Sequence, residues 1–270
     1  MLIQKDKSII EINSNIPGNT TTIMVGVHGN ELSGVNALLK ILKNIKTSSG
    51  KVYFIFANLK ALEIGKRFFE KNMNRCFLQN NDGDTYEDKR ALEIIPYLQE
   101  SDYLLDVHNT LNTGNSIPFL ISEYKNLGKY FDVDFVISGF DKLHPGGSDG
   151  FMNSIGKKGV CLESGSIYDE KGPEIAKKGI INFLRFTGNI DGQIQKRENQ
   201  EFIKFDKIYK NKTLNFKFIK EFFDFEKIKK GQIIAYDGKK EIISDIDCFI
   251  VFTYTPKNIG DECFCLGNNI

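Results

Sequence analysis

Through residue 188, short β-branched apolar runs alternate with segments whose apolar residues recur at helical spacing. A chain patterned this way has few options, because strands joined by helical crossovers form a mostly parallel sheet with helices packed on it. Residues 8–12 read as a first strand, followed by a Pro17-Gly18 turn and a buried strand over 21–27. Val35, Leu38, Leu39, Leu42 and Ile45 then mark a helix. Strands are expected at 52–57, at 103–107 ending on His108, at 135–138 and at 160–162. Helices are expected at 86–99, interrupted at Pro96, and at 174–186. Past Gly188-Asn189 the texture changes to short β-like runs separated by turn signals, such as 202–209, 232–235 and 248–254. The sequence thus predicts an α/β domain over 1–188 and a small β-rich domain over 189–270. Seven phenylalanines between 202 and 225 supply the core of the second.

The functional residues are expected where the strands end, because loops at the C-terminal edge of an α/β sheet converge on one crevice. Three apolar runs end on metal-ligating or acid–base side chains. The first gives Val27-His28-Gly29-Asn30-Glu31, placing an imidazole and a carboxylate three residues apart. The second gives Asp106-Val107-His108-Asn109, in which Asp106 shares a strand face with His108 and is positioned to take its second ring proton. The third gives Cys161-Leu162-Glu163-Ser164-Gly165, where Glu163 is a candidate general base. Neutral imidazole nitrogens and a carboxylate oxygen are ligands that Zn²⁺ prefers. The same residues also suit a plainer reading, with Glu31 favoured by a helix dipole and His28 a hydrogen-bonded loop residue. His144, in Leu143-His144-Pro145-Gly146-Gly147, reads as a turn residue.

Between the first two of these motifs lies a polar segment, 57–77, carrying Arg67, Asn72, Asn74 and Arg75. Arginine presents a planar fork that matches a carboxylate with two hydrogen bonds, though such a segment can equally be a solvated loop with surface ion pairs.

Charge and composition narrow the partners. Thirty-six basic against thirty-five acidic residues leave a net charge of +1 without a basic block, which argues against nucleic acid. With 41% hydrophobic residues the chain can fill a substantial core. No apolar run reaches membrane-spanning length and residues 1–7 have no leader-like apolar stretch, so a cytoplasmic location is expected, with no membrane partner. Cys76, Cys161, Cys248, Cys263 and Cys265 show no paired spacing and are read as free thiols. The sequence leaves an oligomer open.

Taken in order, HGNE, GKRFFEKNMNRCF, DVHNT and LESG resemble the motifs of the succinylglutamate desuccinylase and aspartoacylase family, a branch of the zinc carboxypeptidase-like hydrolases, and the resemblance covers nearly the whole chain. It implies a carboxypeptidase-like mixed, mostly parallel sheet flanked by helices, followed by a small β-rich domain. It further implies one Zn²⁺ per chain held by His28, Glu31 and His108, with Glu163 as the base for the attacking water. Arg67 would stabilise the oxyanion, and Asn74 and Arg75 would hold a substrate carboxylate. The implied reaction is hydrolysis of the amide of a small N-acyl amino acid or a related amide. A zinc carboxypeptidase acting on peptides, and a binding protein with an idle site, are the alternatives. The chain departs from the family pattern in three places. Asn72 stands where the family has Asp; no arginine occurs between Arg90 and Arg185 where the aspartoacylase branch uses one, leaving Lys157 and Lys158 as possible substitutes; and a substrate-gripping tyrosine from the second domain has no clear counterpart, Tyr254 being a weak match.

Overall fold

The computed structural model describes residues 7–111, 116–194 and 196–270. Residues 1–6, on which the expectation about the N-terminus mostly rests, lie outside them.

The strands are β1 (Ile9–Asn13), β2 (Thr20–Val25), β3 (Lys51–Phe56), β4 (Tyr103–Thr110), β5 (Phe119–Ile121), β6 (Phe135–Ser138), β7 (Lys158–Ser166), β8 (Glu201–Lys210), β9 (Phe216–Phe218), β10 (Glu226–Ile228), β11 (Ile233–Asp237), β12 (Lys240–Ile243), β13 (Cys248–Val251) and β14 (Glu262–Asn269). The helices are α1 (Leu32–Ile41), α2 (Leu59–Ile64), α3 (Tyr86–Glu100), α4 (Lys125–Gly128), α5 (Phe140–Leu143), α6 (Ser148–Ser154) and α7 (Gly172–Phe186), with a 3₁₀ turn at Met73–Arg75. Eleven strands form one sheet in the order β1-β3-β2-β4-β7-β5-β6-β8-β14-β13-β10, and β12-β11-β9 form a small antiparallel sheet. The central β3-β2-β4-β7 block is parallel.

A parallel block must be covered on both faces, and the side-chain alternation shows how. Ile23 and Val25 of β2 pack with Val35 and Leu38 of α1 and Ile180 and Phe183 of α7 on one face. Met24, between them, packs with Ala91, Ile94 and Leu98 of α3 and Met152 of α6 on the other. Beyond Gly188 the chain rejoins the same sheet, since β8 pairs in parallel with β6 and then carries β14, β13 and β10. Phe205, Phe216, Phe222 and Phe225 are buried in this part, as the aromatic run predicts, whereas Phe223 is exposed.

Four elements that frame the site differ in their ends from the sequence expectation. Helix α3 runs through Pro96 to Glu100 instead of breaking there. The carbonyl that loses its partner belongs to Leu92, whose exposed position gives it access to water. The strand before His28 stops at Val25, because Gly26 turns the chain at φ +70°. Strands β4 and β7 continue past His108 and Glu163, because their pairing extends through these two residues before the register shifts. Among the described residues, no helix is long and apolar enough to cross a membrane.

Candidate metal centre and active site

Parallel pairing of β4 with β7 makes His108 and Glu163 register partners, and β2 lies on the other side of β4. The loop after β2 carries His28 and Glu31 to the same edge. It is held there by close contact, since a Cβ on Gly29 would lie 2.0 Å from the Ala61 carbonyl carbon, so only glycine fits. Helix α1 begins immediately after Glu31.

His28, Glu31 and His108 are buried, and one ligand atom from each lies within 4.8 Å of the others. His28 Nδ1 is 2.8 Å from Glu31 Oε1, and His108 Nδ1 is 2.9 Å from Glu31 Oε2. The outer nitrogens are engaged separately: His28 Nε2 lies 3.0 Å from Asn72 Oδ1, and His108 Nε2 lies 3.1 Å from Asp106 Oδ2. With its proton on Nε2, His28 turns an otherwise unpartnered Nδ1 lone pair toward the Glu31 carboxylate, whereas His108 Nδ1 has hydrogen-bond geometry to Glu31 Oε2, a place that a proton or a cation can take. Lone pairs facing a carboxylate at such distances repel unless a cation or proton lies between them.

The ionisation balance has the same origin. Burial disfavours charge on His108, but Asp106 on one side and Glu31 on the other raise its pKa well above the usual imidazole value. Burial likewise opposes ionisation of Glu31, yet His28 and His108 hold its pKa well below the carboxylate range. His28 itself is lowered by burial, against the pull of Glu31. The pocket is thus built to hold positive charge, and the donor set of two imidazoles and a carboxylate fits a metal ion. Ser148 Oγ donates to Asp106 Oδ2 at 2.5 Å, and the Asn109 backbone N–H donates to Glu31 Oε2 at 3.1 Å, so the carboxylates around the histidines are themselves oriented.

These groups line a cleft of about 650 Å³ together with Arg67, Asn74, Arg75 and Glu163. Glu163 is only 7% exposed and its Oε2 has no partner. Burial, reinforced by Glu31 and opposed by His108, pushes its pKa up to about 8 in the chain alone. Arg67 Nη1 donates to Glu31 Oε1 at 2.8 Å, and its own carbonyl accepts from Gly29 N–H at 3.3 Å. Arg75 Nη1 donates to the Asn74 carbonyl at 2.7 Å. The Asn74 side-chain oxygen is buried and unpartnered. His28, Glu31, His108, Glu163, Arg67, Asn74 and Arg75 therefore all line one cleft.

The model of the succinylglutamate desuccinylase/aspartoacylase catalytic domain matches residues 17–187. The chain belongs to that family. Relatives include a probable aspartoacylase of a Nostoc species, 32% identical over 55% of this chain and 56% of that protein. They also include an N-alpha-acetyl-L-2,4-diaminobutyric acid deacetylase of Halomonas elongata, 27% identical over 66% of this chain and 57% of that protein. The chain thus aligns with little more than half the length of these relatives. The fold extends further. A succinylglutamate desuccinylase structure from Vibrio cholerae superposes with a TM-score of 0.83 at 16% identity, covering 97% of this chain and 86% of that one. The product-bound ectoine utilization protein of Ruegeria pomeroyi gives 0.76 at 21% identity, covering 96% and 88%.

Against the family pattern, Asn72 occupies the place beside His28 that the motif assigns to Asp, and its neutral amide accepts the Nε2 proton. Lys157 and Lys158 do not replace the missing arginine, a correction to the sequence expectation. Lys157 precedes β7 and Lys158 opens it, with Lys157 Nζ donating to the carbonyls of Gln99 and Ser101 and Lys158 Nζ over the Tyr103 ring. Five residues of strand separate Lys158 from Glu163 by about 16 Å, at roughly 3.3 Å per residue. Tyr254 lines the cleft but is 40% exposed.

Sequence reasoning missed the cleft's acidic lining. Asp141 and Asp149, from α5 and α6, face the cavity. Burial, with Asp141 and Asp106 nearby, pushes Asp149 up to about 7. Glu262, at the start of β14, accepts from His144 Nε2 at 2.7 Å. That bond depresses its carboxyl to about 2 against the effect of burial. His144, read as a turn residue, therefore bridges the catalytic part to the last strand. No local pattern could have paired it with Glu262, because only the sheet order brings β14 to this cleft.

Proposed function

We propose that this chain is a zinc-dependent amidohydrolase that cleaves the amide bond of a small N-acyl amino acid. The observation that carries the reading is the convergence of His28, Glu31 and His108 on one point, with Glu163 unpartnered on the adjacent strand. The names of the relatives support it, since they include an acylase, a deacetylase and an amidohydrolase forming a carboxylate.

In this reading His28, Glu31 and His108 would hold one zinc per chain, which when bound would supply Lewis acidity that makes the attacking water a stronger acid. Glu163 takes the proton of the attacking water and returns it to the amine nitrogen as the C–N bond breaks. Arg67 faces the oxygen on which negative charge develops. Asn74 and Arg75 hold the substrate carboxylate, with Arg75 kept in a partly buried position beside Glu262 and Asp149.

Two features bear on the substrate. A cleft of about 650 Å³ has small-molecule dimensions, which favours an N-acyl amino acid over an extended peptide. Its walls carry acidic groups (Asp141, Asp149, Asp261 and Glu262) as well as basic ones (Arg67, Arg75 and Lys257), which suits a substrate with polar groups at both ends. The five buried free cysteines suit a reducing, cytoplasmic setting.

The test joins metal analysis of the purified protein to a substrate panel. N-acyl derivatives of acidic, neutral and basic amino acids would be compared with dipeptides and with matched amides lacking a carboxylate. We expect about one zinc per chain and turnover that requires the carboxylate. Equal hydrolysis of the neutral amides would remove the carboxylate-reading role, and preferential cleavage of dipeptides would make the protein a carboxypeptidase.

A further inference from the structure

The loop that carries Arg67 at one end and Asn72 at the other is fastened by a carboxylate outside the cleft. Glu87, in the first turn of α3, is fully buried, and its hydrogen-bond donors are all uncharged groups. Its Oε1 accepts from Phe69 N–H at 2.7 Å and from Asn58 Nδ2 at 3.1 Å. Its Oε2 accepts from Lys71 N–H at 3.1 Å, and Glu70 N–H is shared between the two oxygens at 3.3 and 3.2 Å. Consecutive backbone N–H groups curled toward one point form a concavity that holds an anion, and here the anion is supplied by the chain itself. Each of these bonds is charge-assisted, so together they offset the burial of the carboxylate.

The loop is also held at Arg67, whose carbonyl accepts from Gly29 N–H at 3.3 Å, and at Lys71, whose Nζ pairs with the buried Asp88 at 2.9 Å, while Glu70 Oε2 accepts from Tyr86 N–H at 2.6 Å nearer solvent; Glu87 is the group that gathers the backbone N–H groups of residues 69–71. Asn58 caps α2 with its Oδ1 while its Nδ2 reaches Glu87, so the end of β3 is tied to the same carboxylate. From this fixed stretch Arg67 reaches Glu31, and Asn72 reaches His28. Arg75 is seated differently, on a turn whose flanking Met73 and Phe77 are buried and whose Phe77 N–H donates to the Gly146 carbonyl at 3.1 Å.

We infer that Glu87 is a positioning residue for the metal centre: its buried carboxylate gathers the backbone N–H groups of residues 69–71 and thereby sets the reach of Arg67 to Glu31 and of Asn72 to His28. Glu87 touches neither substrate nor metal and acts only through the loop. The kinetic arm of its test rests on the amidohydrolase reading above, whereas the exchange and metal-release arms need no substrate.

Glu87→Gln keeps the shape but turns one acceptor into a donor facing N–H groups. In this variant the amides of Phe69, Glu70 and Lys71 should exchange with deuterium at least about 10-fold faster. Zinc should be lost to a chelator about 10-fold faster, because the partner of His28 shifts. On a substrate turned over by the wild type, kcat should fall about 10- to 100-fold, while KM changes by less than about threefold because Arg75 has its own seat. Lys71→Ala, which removes the pairing with Asp88 but leaves the backbone N–H groups of residues 69–71 on Glu87, should retain wild-type kcat and metal release. Unchanged exchange in Glu87→Gln overturns the anchoring, and faster exchange with unchanged metal release overturns the link to the centre. Lys71→Ala matching Glu87→Gln in either readout would show that loosening the loop anywhere suffices. If Glu87→Gln does not fold, Glu87→Asp, which keeps the charge but shortens the reach, carries the same readings with smaller changes expected. Wild-type metal release from Glu87→Asp with accelerated exchange would again refute the inference. If the wild type hydrolyses no N-acyl amino acid, the proposed function fails while these two arms still decide the role of Glu87.

Discussion

Replacing Asn72 by aspartate should tighten metal binding by about 10-fold. His28 Nε2 lies 3.0 Å from the Asn72 side-chain oxygen, a neutral acceptor. A carboxylate at the same distance converts an ordinary hydrogen bond, contributing about 1 kcal/mol, into a charge-assisted one contributing about 1.5–3 kcal/mol. The difference of roughly 0.5–2 kcal/mol corresponds to about 2- to 30-fold in affinity, centred near tenfold and overlapping the 10- to 100-fold range typical of groups that orient metal-binding histidines. The gain works by making His28 Nδ1 a stronger donor. The second partner of the side chain survives, because Asn74 N–H donates to the same oxygen at 3.0 Å and a carboxylate accepts it equally well. Protons compete for the same imidazole, and burial holds His28 below its ordinary pKa in the wild type. An aspartate raises that pKa, so the full gain appears at pH 8 and shrinks as the pH falls into the imidazole range. Competition against a chelator of known affinity, at pH 8 and pH 6, measures both effects. Equal or weaker affinity at pH 8, in a variant with an unchanged circular dichroism spectrum, would refute the coupling between Asn72 and the centre.

Further outcomes follow from the same geometry. His28→Ala and His108→Ala should each lose bound metal, and full metal content in either would remove that residue from the ligand set. Glu163→Gln should keep its metal and lose about 10²- to 10⁴-fold in kcat, as expected for removal of a general base; near-normal turnover would exclude that role. Arg75→Lys should raise KM about tenfold with a smaller change in kcat, whereas Arg67→Lys should lower kcat about 100-fold, and identical defects would contradict their separate assignments. Glu262 is held down to about 2 by His144, so its bond stabilises the fold fully above the ordinary carboxylate range and that contribution is lost as the pH falls from about 4.5 through 2. Glu262→Gln should flatten the acid limb of a stability–pH profile between those limits, and an unchanged limb would show that the bond does not matter to stability.

The sequence reveals most about residues whose role is set locally. His28, His108 and Glu163 follow apolar runs, and Arg67, Asn74 and Arg75 fall in a polar segment too charged for a core, so their convergence could be inferred before any strand order was known. The Asp106 contact with His108 was legible for a similar reason, since residues two apart share a strand face. What depends on distant pairing was hidden. Glu87 looks like an acidic residue favouring a helix start, and nothing nearby shows that it gathers the amides of a preceding loop. Asp149 and Glu262 reach the cleft through α6 and β14, which the sheet order places there. Lys157 and Lys158 mark the limit of reading by neighbourhood, because closeness in sequence to Glu163 says nothing about reach along β7: five steps of extended strand span about 16 Å.

The pairing of β6 with β8 makes residues 189–270 a continuation of the main sheet through a shared ladder. Shortening the chain after 188 would strip β6 of its neighbour and leave a row of unanswered backbone donors and acceptors beside an apolar face built from Phe119, Ile137 and Phe140. Such a fragment should self-associate, detectable by light scattering during refolding, and in the intact chain both portions should melt in one calorimetric transition.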